Sequence, residues 1–258
     1  MIDRTRVLQK FREYVSDYDI NDDKIRLKVV HTYRVADNSE RIAASLGLES
    51  GDIDLAWLIG MLHDIGRFEQ LRRYHTFIDA RSIDHAKFGA DLLFEEGLIR
   101  SFIEENTYDN YIEAAIRAHN LFVLEDDDDS KRLMFCKILR DADKIDIFRV
   151  NEEFPKEVVY DTTFEELMRS ELSAEVVEAS LQHITVHRKL KKTPADTIVS
   201  HLSLVYGIYY PESIIMLREQ GYLKMLMSTR TGNPDTNRKL ELVCDEVNRY
   251  MDNCENDL

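Results

Sequence analysis

One segment of the chain is apolar on nearly all of its faces and ends in a histidine and an aspartate. It runs from a helix cap at Asp52 through LAWLIGMLHDI to Gly66, and its last turn carries His63 and Asp64. A helix that is apolar all round must be covered by other elements, because any exposed face would leave apolar surface in water. The segment therefore predicts a helix at the centre of a helical bundle, with a polar pair at its buried end.

The composition also favours helices. The 258 residues include only nine Gly and four Pro, and 44 % are hydrophobic, which argues against disorder and against turn-rich β-sandwiches. The chain is long enough to bury a sizeable core. We predict an all-α fold with a helical domain over residues 1–150 and a helical carboxy-terminal extension over residues 151–258 packed on it. The loosely composed segment after Val150 is the predicted boundary.

Caps and apolar spacing place the individual helices. Helix starts are predicted at Asn21–Asp23, Asp52, Ser82, Asp109, Ser130, Ser173, Thr193, Pro211 and Pro234, with four or five helices in the extension. Residues 67–81 are rich in charge and lack a clear period, so we predict an irregular excursion over the mouth of a site. The acidic run at 125–129 is predicted to be a solvated surface loop.

Charge and cysteine usage exclude several classes of protein. The net charge is −15 without a basic tail or stripe, so duplex nucleic acid is not an expected partner. The three cysteines form no CxxC pair, which supports neither a disulfide framework nor a thiolate metal site and favours a cytoplasmic location. The apolar runs are too short for a signal peptide or a membrane span, so we expect no membrane partner.

Four histidines fall on or beside the apolar faces of different predicted helices: His31, His63, His85 and His119. A single histidine in such a place is typically a hydrogen-bonded core residue. Four partly buried imidazoles together need partners, and divalent metal ions would satisfy all of them. A carboxylate has two oxygens, so Asp64 can bridge two ions while each histidine serves one.

The order of His31, the pair His63-Asp64 and an aspartate within RDADKID resembles the HD-domain superfamily of metal-dependent phosphohydrolases. The fuller local matches are MLHDIGR, DHAKFGADLLFEEG, IRAHN and LRDADKID. His85 and His119 resemble the branch with two metals, which includes diadenosine tetraphosphate hydrolases and cyclic-dinucleotide phosphodiesterases. The resemblance covers residues 22–150, and the GYP signature of the cyclic-dinucleotide branch is missing.

The resemblance implies two divalent transition-metal ions, with Fe, Mn, Zn, Co and Ni as candidates. The ligands that it implies are His31, His63, Asp64, His85, His119 and Asp143. The residues by themselves leave the late carboxylate open among Asp141, Asp143 and Asp146. Helical periodicity favours Asp146, whereas the resemblance favours Asp143.

Arg67 and Lys144 lie beside implied ligands and are candidates for substrate binding and catalysis, together with Asp64 as a catalytic ligand. A lysine or a forked arginine can neutralise the outer oxygens of a phosphoryl group. The leading hypothesis is a hydrolase for a phosphate ester or phosphoanhydride of a small, nucleotide-like molecule, which uses a metal-bridging hydroxide. The expected partner is this small phosphorylated substrate, and an oligomer is compatible with the sequence.

Two further hypotheses use the same ligands. The set of four histidines and two aspartates also resembles HD-type diiron oxygenases, such as inositol oxygenase and phosphonate-cleaving enzymes. A metal-bearing nucleotide-binding regulatory module is the third hypothesis. Outside this set, His183 and His187 have the i, i+4 spacing of a zinc pair on one helix face, but no catalytic Glu lies between them.

Overall fold

The computed structural model describes residues 2–160 and 162–256, and every regular element in them is a helix. The predicted all-α fold class is therefore confirmed. The chain divides into two compact units, the first ending at Asp143 and the second beginning at Lys144. This division lies within one helix, Ser130–Glu153, which also contains Val150 of the predicted boundary. Among the described residues, no helix combines the length and apolar character that crossing a bilayer requires.

The first unit contains seven complete helices in its described residues and the first part of an eighth. They are α1 (Arg4–Val15), α2 (Asp23–Ser45), α3 (Ser50–Leu62), α4 (Ile65–Tyr74), α5 (His85–Phe94), α6 (Ile99–Phe102), α7 (Asp109–Ala118) and α8 (Ser130–Glu153). Helix α2 begins where the sequence predicts, because the Asp22 carboxylate accepts a hydrogen bond from the Lys24 amide. Helix α1 has no counterpart among the predicted helices.

Helix α3 is the buried central helix that the sequence predicts. All of its residues from Leu55 to Leu62 are buried. A Cβ atom at Gly60 would lie only 2.6 Å from the Cα atom of Ala36, so the glycine lets α3 approach the backbone of α2. The predicted end of this helix at Gly66 is wrong, because α3 ends at Leu62 and Gly66 lies in the first turn of α4.

The prediction that residues 67–81 are irregular is also wrong over most of its range, since α4 is helical from Ile65 to Tyr74. Its buried residues Ile65, Phe68 and Leu71 recur every three residues, which is compatible with one face of a helix. The charged residues between them obscured this short pattern. Only the segment that follows α4 is irregular, apart from a single 3₁₀ turn at Asp79–Arg81.

Two predicted caps are replaced by neighbouring aspartates. Asp84, not Ser82, caps α5 by accepting hydrogen bonds from the amides of Ala86 and Lys87. Asp129, not Ser130, accepts from the amides of Lys131 and Arg132 at the start of α8, both at 3.0 Å. An aspartate attracts the partial positive charge of a helix amino terminus more strongly than a serine does.

The second unit is helical as well. After α8 it contains α9 (Lys156–Tyr160), α10 (Phe164–Arg169), α11 (Ala174–Leu181), α12 (Pro194–Leu202), α13 (Pro211–Gln220), α14 (Tyr222–Met227) and α15 (Pro234–Asn256). The starts predicted at Ser173, Thr193, Pro211 and Pro234 agree with α11, α12, α13 and α15. The described residues hold seven helices here rather than four or five, because α9, α10 and α14 are too short to give a periodic pattern.

Candidate metal centre

His63 and Asp64 form the break between α3 and α4. Two consecutive residues of a helix point about 100° apart, so an uninterrupted helix would separate their side chains. Here α3 ends at Leu62 and α4 begins at Ile65. His63 keeps helical backbone angles, whereas Asp64 leaves them with φ of −105° and ψ of 18°, so the regular helix is interrupted between the two side chains. The ring of His63 is fixed by a hydrogen bond from its Nδ1 to the carbonyl of Gly60, at 2.7 Å.

The Asp64 carboxylate lies between two pairs of histidines. Its Oδ2 is 3.6 Å from His31 Nε2 and 3.5 Å from His63 Nε2. Its Oδ1 is 3.6 Å from His85 Nε2 and 3.8 Å from His119 Nε2. Each oxygen therefore faces one pair, and all five side chains are buried.

The second pair comes from two different helices. His85 is the first residue of α5, and His119 follows the last residue of α7. Their Nε2 atoms are 3.0 Å apart. The Nδ1 atom of His119 donates to the carbonyl of Ile116 at 2.7 Å, and that of His85 donates to the Asp79 carboxylate at 2.7 Å.

These hydrogen bonds decide which nitrogen of each ring is free to bind a cation. A carbonyl or carboxylate can only accept, so Nδ1 of His63, His85 and His119 must carry the hydrogen. Burial lowers the pKa of His63, and it lowers the pKa of His85 and of His119 to about 4, which keeps the rings neutral near pH 7. Each Nε2 then presents a lone pair.

Two lone pairs that face each other repel unless a cation lies between them. The Nε2 atoms of His85 and His119 are in this arrangement at 3.0 Å. Neutral imidazoles with an ionised carboxylate are the donor set of divalent transition metals. The groups His31–His63–Asp64 and Asp64–His85–His119 thus fit metal ions, and Asp64 is common to both.

Asp143 joins the first group. Its Oδ1 lies 3.1 Å from His31 Nε2 and 3.9 Å from His63 Nε2. Burial opposes its ionisation, but the hydrogen bond from His31 and the electrostatic effect of the surrounding histidines together outweigh burial and hold the pKa of Asp143 well below its usual range. Asp146 instead receives two hydrogen bonds of 2.8 Å from Arg149. Asp141, two residues before Asp143, points about 200° away around the axis of α8.

Arg67 lies at the cluster and is anchored through its Nη1 atom. Its Nη1 donates to Gln70 at 2.8 Å, to the carbonyl of Phe77 at 2.7 Å and to Asp79 at 2.9 Å. Its Nε lies 3.6 Å from Asp64 Oδ1 and is buried without a hydrogen-bond partner among the described residues. One donor of Arg67 is thus directed into the site.

Lys144 has a different partner. Its Nζ donates to the carbonyl of Gly207 at 2.5 Å and lies 5.4 Å from the ring centroid of Tyr209, both in the second unit. This contact does not support the substrate-binding role predicted for Lys144.

Sequence reasoning missed two charged residues of the site. Lys28 Nζ lies 2.6 Å from Asp64 Oδ2, and its position three residues before His31 on one helix was the available signal. Asp79 orients His85, and nothing local in the sequence marks it. Burial opposes the ionisation of Asp79, but the hydrogen bond from His85 and the charge of Arg67 lower its pKa to about 2.

The comparisons with known proteins concern the segment that contains these residues. Residues 29–148 match the family model of the HD domain. The match supports placing this segment in the HD superfamily, whose members are generally metal-dependent hydrolases. All six implied ligands of the HD domain lie within the matched segment. No curated protein and no solved structure matches the chain.

The zinc pair considered at His183 and His187 is not on one helix face, because α11 ends at Leu181. His183 has a left-handed backbone with φ of 59° and binds Glu246 at 2.7 Å. His187 accepts a hydrogen bond from the amide of Lys189 and caps the 3₁₀ turn Arg188–Leu190. The i, i+4 spacing therefore does not create a zinc site here.

Proposed function

We propose that the HD domain of this chain is a dinuclear metal-dependent hydrolase that cleaves a phosphate ester or phosphoanhydride of a small, nucleotide-like molecule. The observation that carries the proposal is the Asp64 carboxylate, which presents one oxygen to each of two histidine pairs. A site with one ion needs about three protein ligands and an open position. The HD domain offers six candidate ligands, which suits two ions.

The ligands divide into two sets. His31 and His63 face Oδ2 of Asp64, Asp143 lies beside both histidines, and these four residues would hold one ion. His85 and His119 face Oδ1 and would hold the second. The chemistry that two bound divalent ions supply is the acidification of water and the neutralisation of charge on phosphoryl oxygens.

The remaining residues orient these ligands and bind the substrate. Asp79 fixes the ring of His85, and the carbonyls of Gly60 and Ile116 fix those of His63 and His119. Arg67 has its Nη1 anchored and its buried Nε directed at the site, so it is the candidate donor to a phosphoryl oxygen. Lys144 has no part in this proposal.

The experiment is metal analysis of protein purified without chelator, followed by assays of phosphate release from a panel of phosphorylated metabolites with added Mn²⁺. We expect close to two transition-metal ions per chain and release of phosphate or of a nucleotide from at least one substrate class. Protein that is folded and cannot be loaded above one ion contradicts the dinuclear assignment. Oxygen uptake by the iron-loaded protein, without phosphate release, would identify an oxygenase instead.

A further inference from the structure

Lys28 makes a direct ion pair inside the candidate metal centre. It lies on α2, one turn before His31, so the two side chains share a helix face. Its Nζ is 2.6 Å from Asp64 Oδ2, the same oxygen that faces His31 and His63. The side chain of Lys28 is 14 % exposed, so it reaches the cluster from the edge that borders solvent.

The ammonium of Lys28 and a metal ion compete for one oxygen. Like charges at contact distance repel strongly where water is scarce, and Asp64 is buried. A cation held by His31, His63 and Oδ2 of Asp64 would therefore displace Lys28 from this oxygen. In the metal-free protein, Lys28 supplies the positive charge that the buried carboxylate needs, because the two groups form an ion pair of 2.6 Å.

The surroundings of Lys28 keep the displaced ammonium at the site. Its Nζ lies 5.6 Å from the ring centroid of Phe77, and the guanidinium of Arg67 lies at the same distance from this ring. An aromatic face attracts a cation within about 6 Å. The lysine stem is long and flexible, and it carries three donors that can turn toward a new acceptor.

The other two cations considered from the sequence are each anchored by acceptors other than Asp64. Arg67 Nη1 already serves three acceptors, and Lys144 Nζ is bound to Gly207. Lys28 differs from both because metal loading itself removes its acceptor. We propose that Lys28 binds the anionic phosphoryl group of the substrate once metal has taken Asp64, and that it balances the Asp64 charge when metal is absent. This inference rests on the proposed hydrolase function.

The test uses the full chain with Lys28→Met and Lys28→Arg, and Lys24→Met as the matched control. Lys24 lies one turn earlier on the same helix and its side chain is exposed. The change Lys24→Met therefore removes the same charge at a position away from the site. The first measurement is calorimetric titration of the metal-free proteins with Mn²⁺. We expect Lys28→Met to bind Mn²⁺ several-fold more tightly than the wild type, because no ammonium competes for Asp64.

The second measurement is titration of the Mn²⁺-loaded proteins with inorganic phosphate. We expect Lys28→Met to weaken phosphate binding roughly 10- to 100-fold, the value of one charge-assisted hydrogen bond. Lys28→Arg keeps the charge and should stay closer to the wild type than Lys28→Met does. Lys24→Met should bind phosphate as the wild type does.

The outcomes separate this inference from the proposed function. If the wild type binds phosphate and Lys28→Met binds it equally well, the role of Lys28 is overturned while the hydrolase proposal stands. Weaker Mn²⁺ binding by Lys28→Met also overturns it, since the lysine would then support the ligands rather than compete with metal. If the loaded wild type binds no phosphate, the proposed function fails and this inference fails with it.

Discussion

Asp64 is the residue on which both histidine pairs depend, because each of its oxygens faces one pair. We expect Asp64→Ala to lose both ions and all turnover. His119→Ala removes one candidate ligand from the Oδ1 side of Asp64 and should weaken the binding of one ion. We expect a larger loss of affinity than the roughly 10- to 100-fold that results from removing a residue that only hydrogen-bonds to a ligand. Titration with Mn²⁺, with circular dichroism as a control for folding, measures both effects.

One outcome would contradict the assignment of His119 as a metal ligand. If His119→Ala keeps two tightly bound ions and full activity, then His119 is a core histidine. Its hydrogen bond to the carbonyl of Ile116 would in that case serve packing alone.

Asp79 is expected to act on the candidate metal centre through His85. Its carboxylate accepts the Nδ1 hydrogen of His85 and also binds Arg67. We expect Asp79→Asn to weaken the binding of one ion by roughly 10- to 100-fold, measured by Mn²⁺ titration. Asp84→Asn is the matched control, because asparagine caps a helix about as well as aspartate does. Equal affinities in the two variants would show that Asp79 does not orient the ligand.

Arg67 is expected to act on the substrate and not on the metal. Its Nε points at the site, but an arginine is not a metal ligand. Arg67→Ala should lower kcat/KM by roughly 100-fold, as the loss of a donor to a developing negative charge does, with metal occupancy near the wild-type value. The control is Arg73→Ala, which removes an exposed arginine of the same helix. If kcat/KM of Arg67→Ala equals the wild-type value, Arg67 has only a structural role.

At the scale of elements, the contact between α4 and α5 sets the distance from Asp64 to His85. A Cβ atom at Gly66 would lie 2.6 Å from the carbonyl oxygen of His85 and 2.7 Å from the amide nitrogen of Gly89. Both are backbone atoms, so the helices themselves must move apart. The glycine is thus required by packing.

We expect Gly66→Ala to lower the free energy of unfolding by about 1–3 kcal/mol and to weaken metal binding, since it displaces His85. Gly51→Ala is the control in α3, because a Cβ atom there meets nothing within 4 Å. That change should be neutral or stabilising by up to about 1 kcal/mol. Urea unfolding of the metal-free proteins measures both values. A Gly66→Ala protein as stable as the wild type would contradict the close packing of α4 on α5.

At the scale of the whole molecule, buried neutral histidines make stability depend on pH. Burial lowers the pKa of His85 and of His119 to about 4, and that of His201 to about 3, from 6.5. As the pH falls below about 6.5, the unfolded chain takes up protons that the folded chain does not. The free energy of unfolding therefore decreases from about pH 6.5 toward pH 4.

The loss should be of the order of 3 kcal/mol for each such histidine across this window. Urea unfolding of metal-free protein at several pH values measures it, and a variant with His85→Asn and His119→Asn should show a shallower dependence. Below this window, carboxylates such as Asp79, with its pKa lowered to about 2, continue the trend as they become protonated. A stability that stays constant between about pH 7 and pH 5 would contradict this account.

The sequence by itself determined the fold class and the central helix. Low Gly and Pro content and apolar spacing are properties of contiguous residues, and they predict helices without knowledge of packing. The uniform apolar character of α3 indicated its burial in the same way. The histidine and aspartate motifs resemble those of the HD superfamily because of their order along the chain, and residues 29–148 match the model of its domain. Helix α4 was missed because charged residues interrupt its short apolar pattern, and the shorter helices α9, α10 and α14 were missed because they give too few periods.

Only the tertiary structure decided which side chains meet. Asp143 and Asp146 are equivalent as letters in RDADKID, yet one faces His31 and the other pairs with Arg149. Lys28 and Asp64 are 36 residues apart in the chain and 2.6 Å apart in space. Such contacts depend on the angles and distances at which helices pack, and these are set by glycines and core side chains elsewhere. Local patterns determine the elements, whereas their packing determines the site.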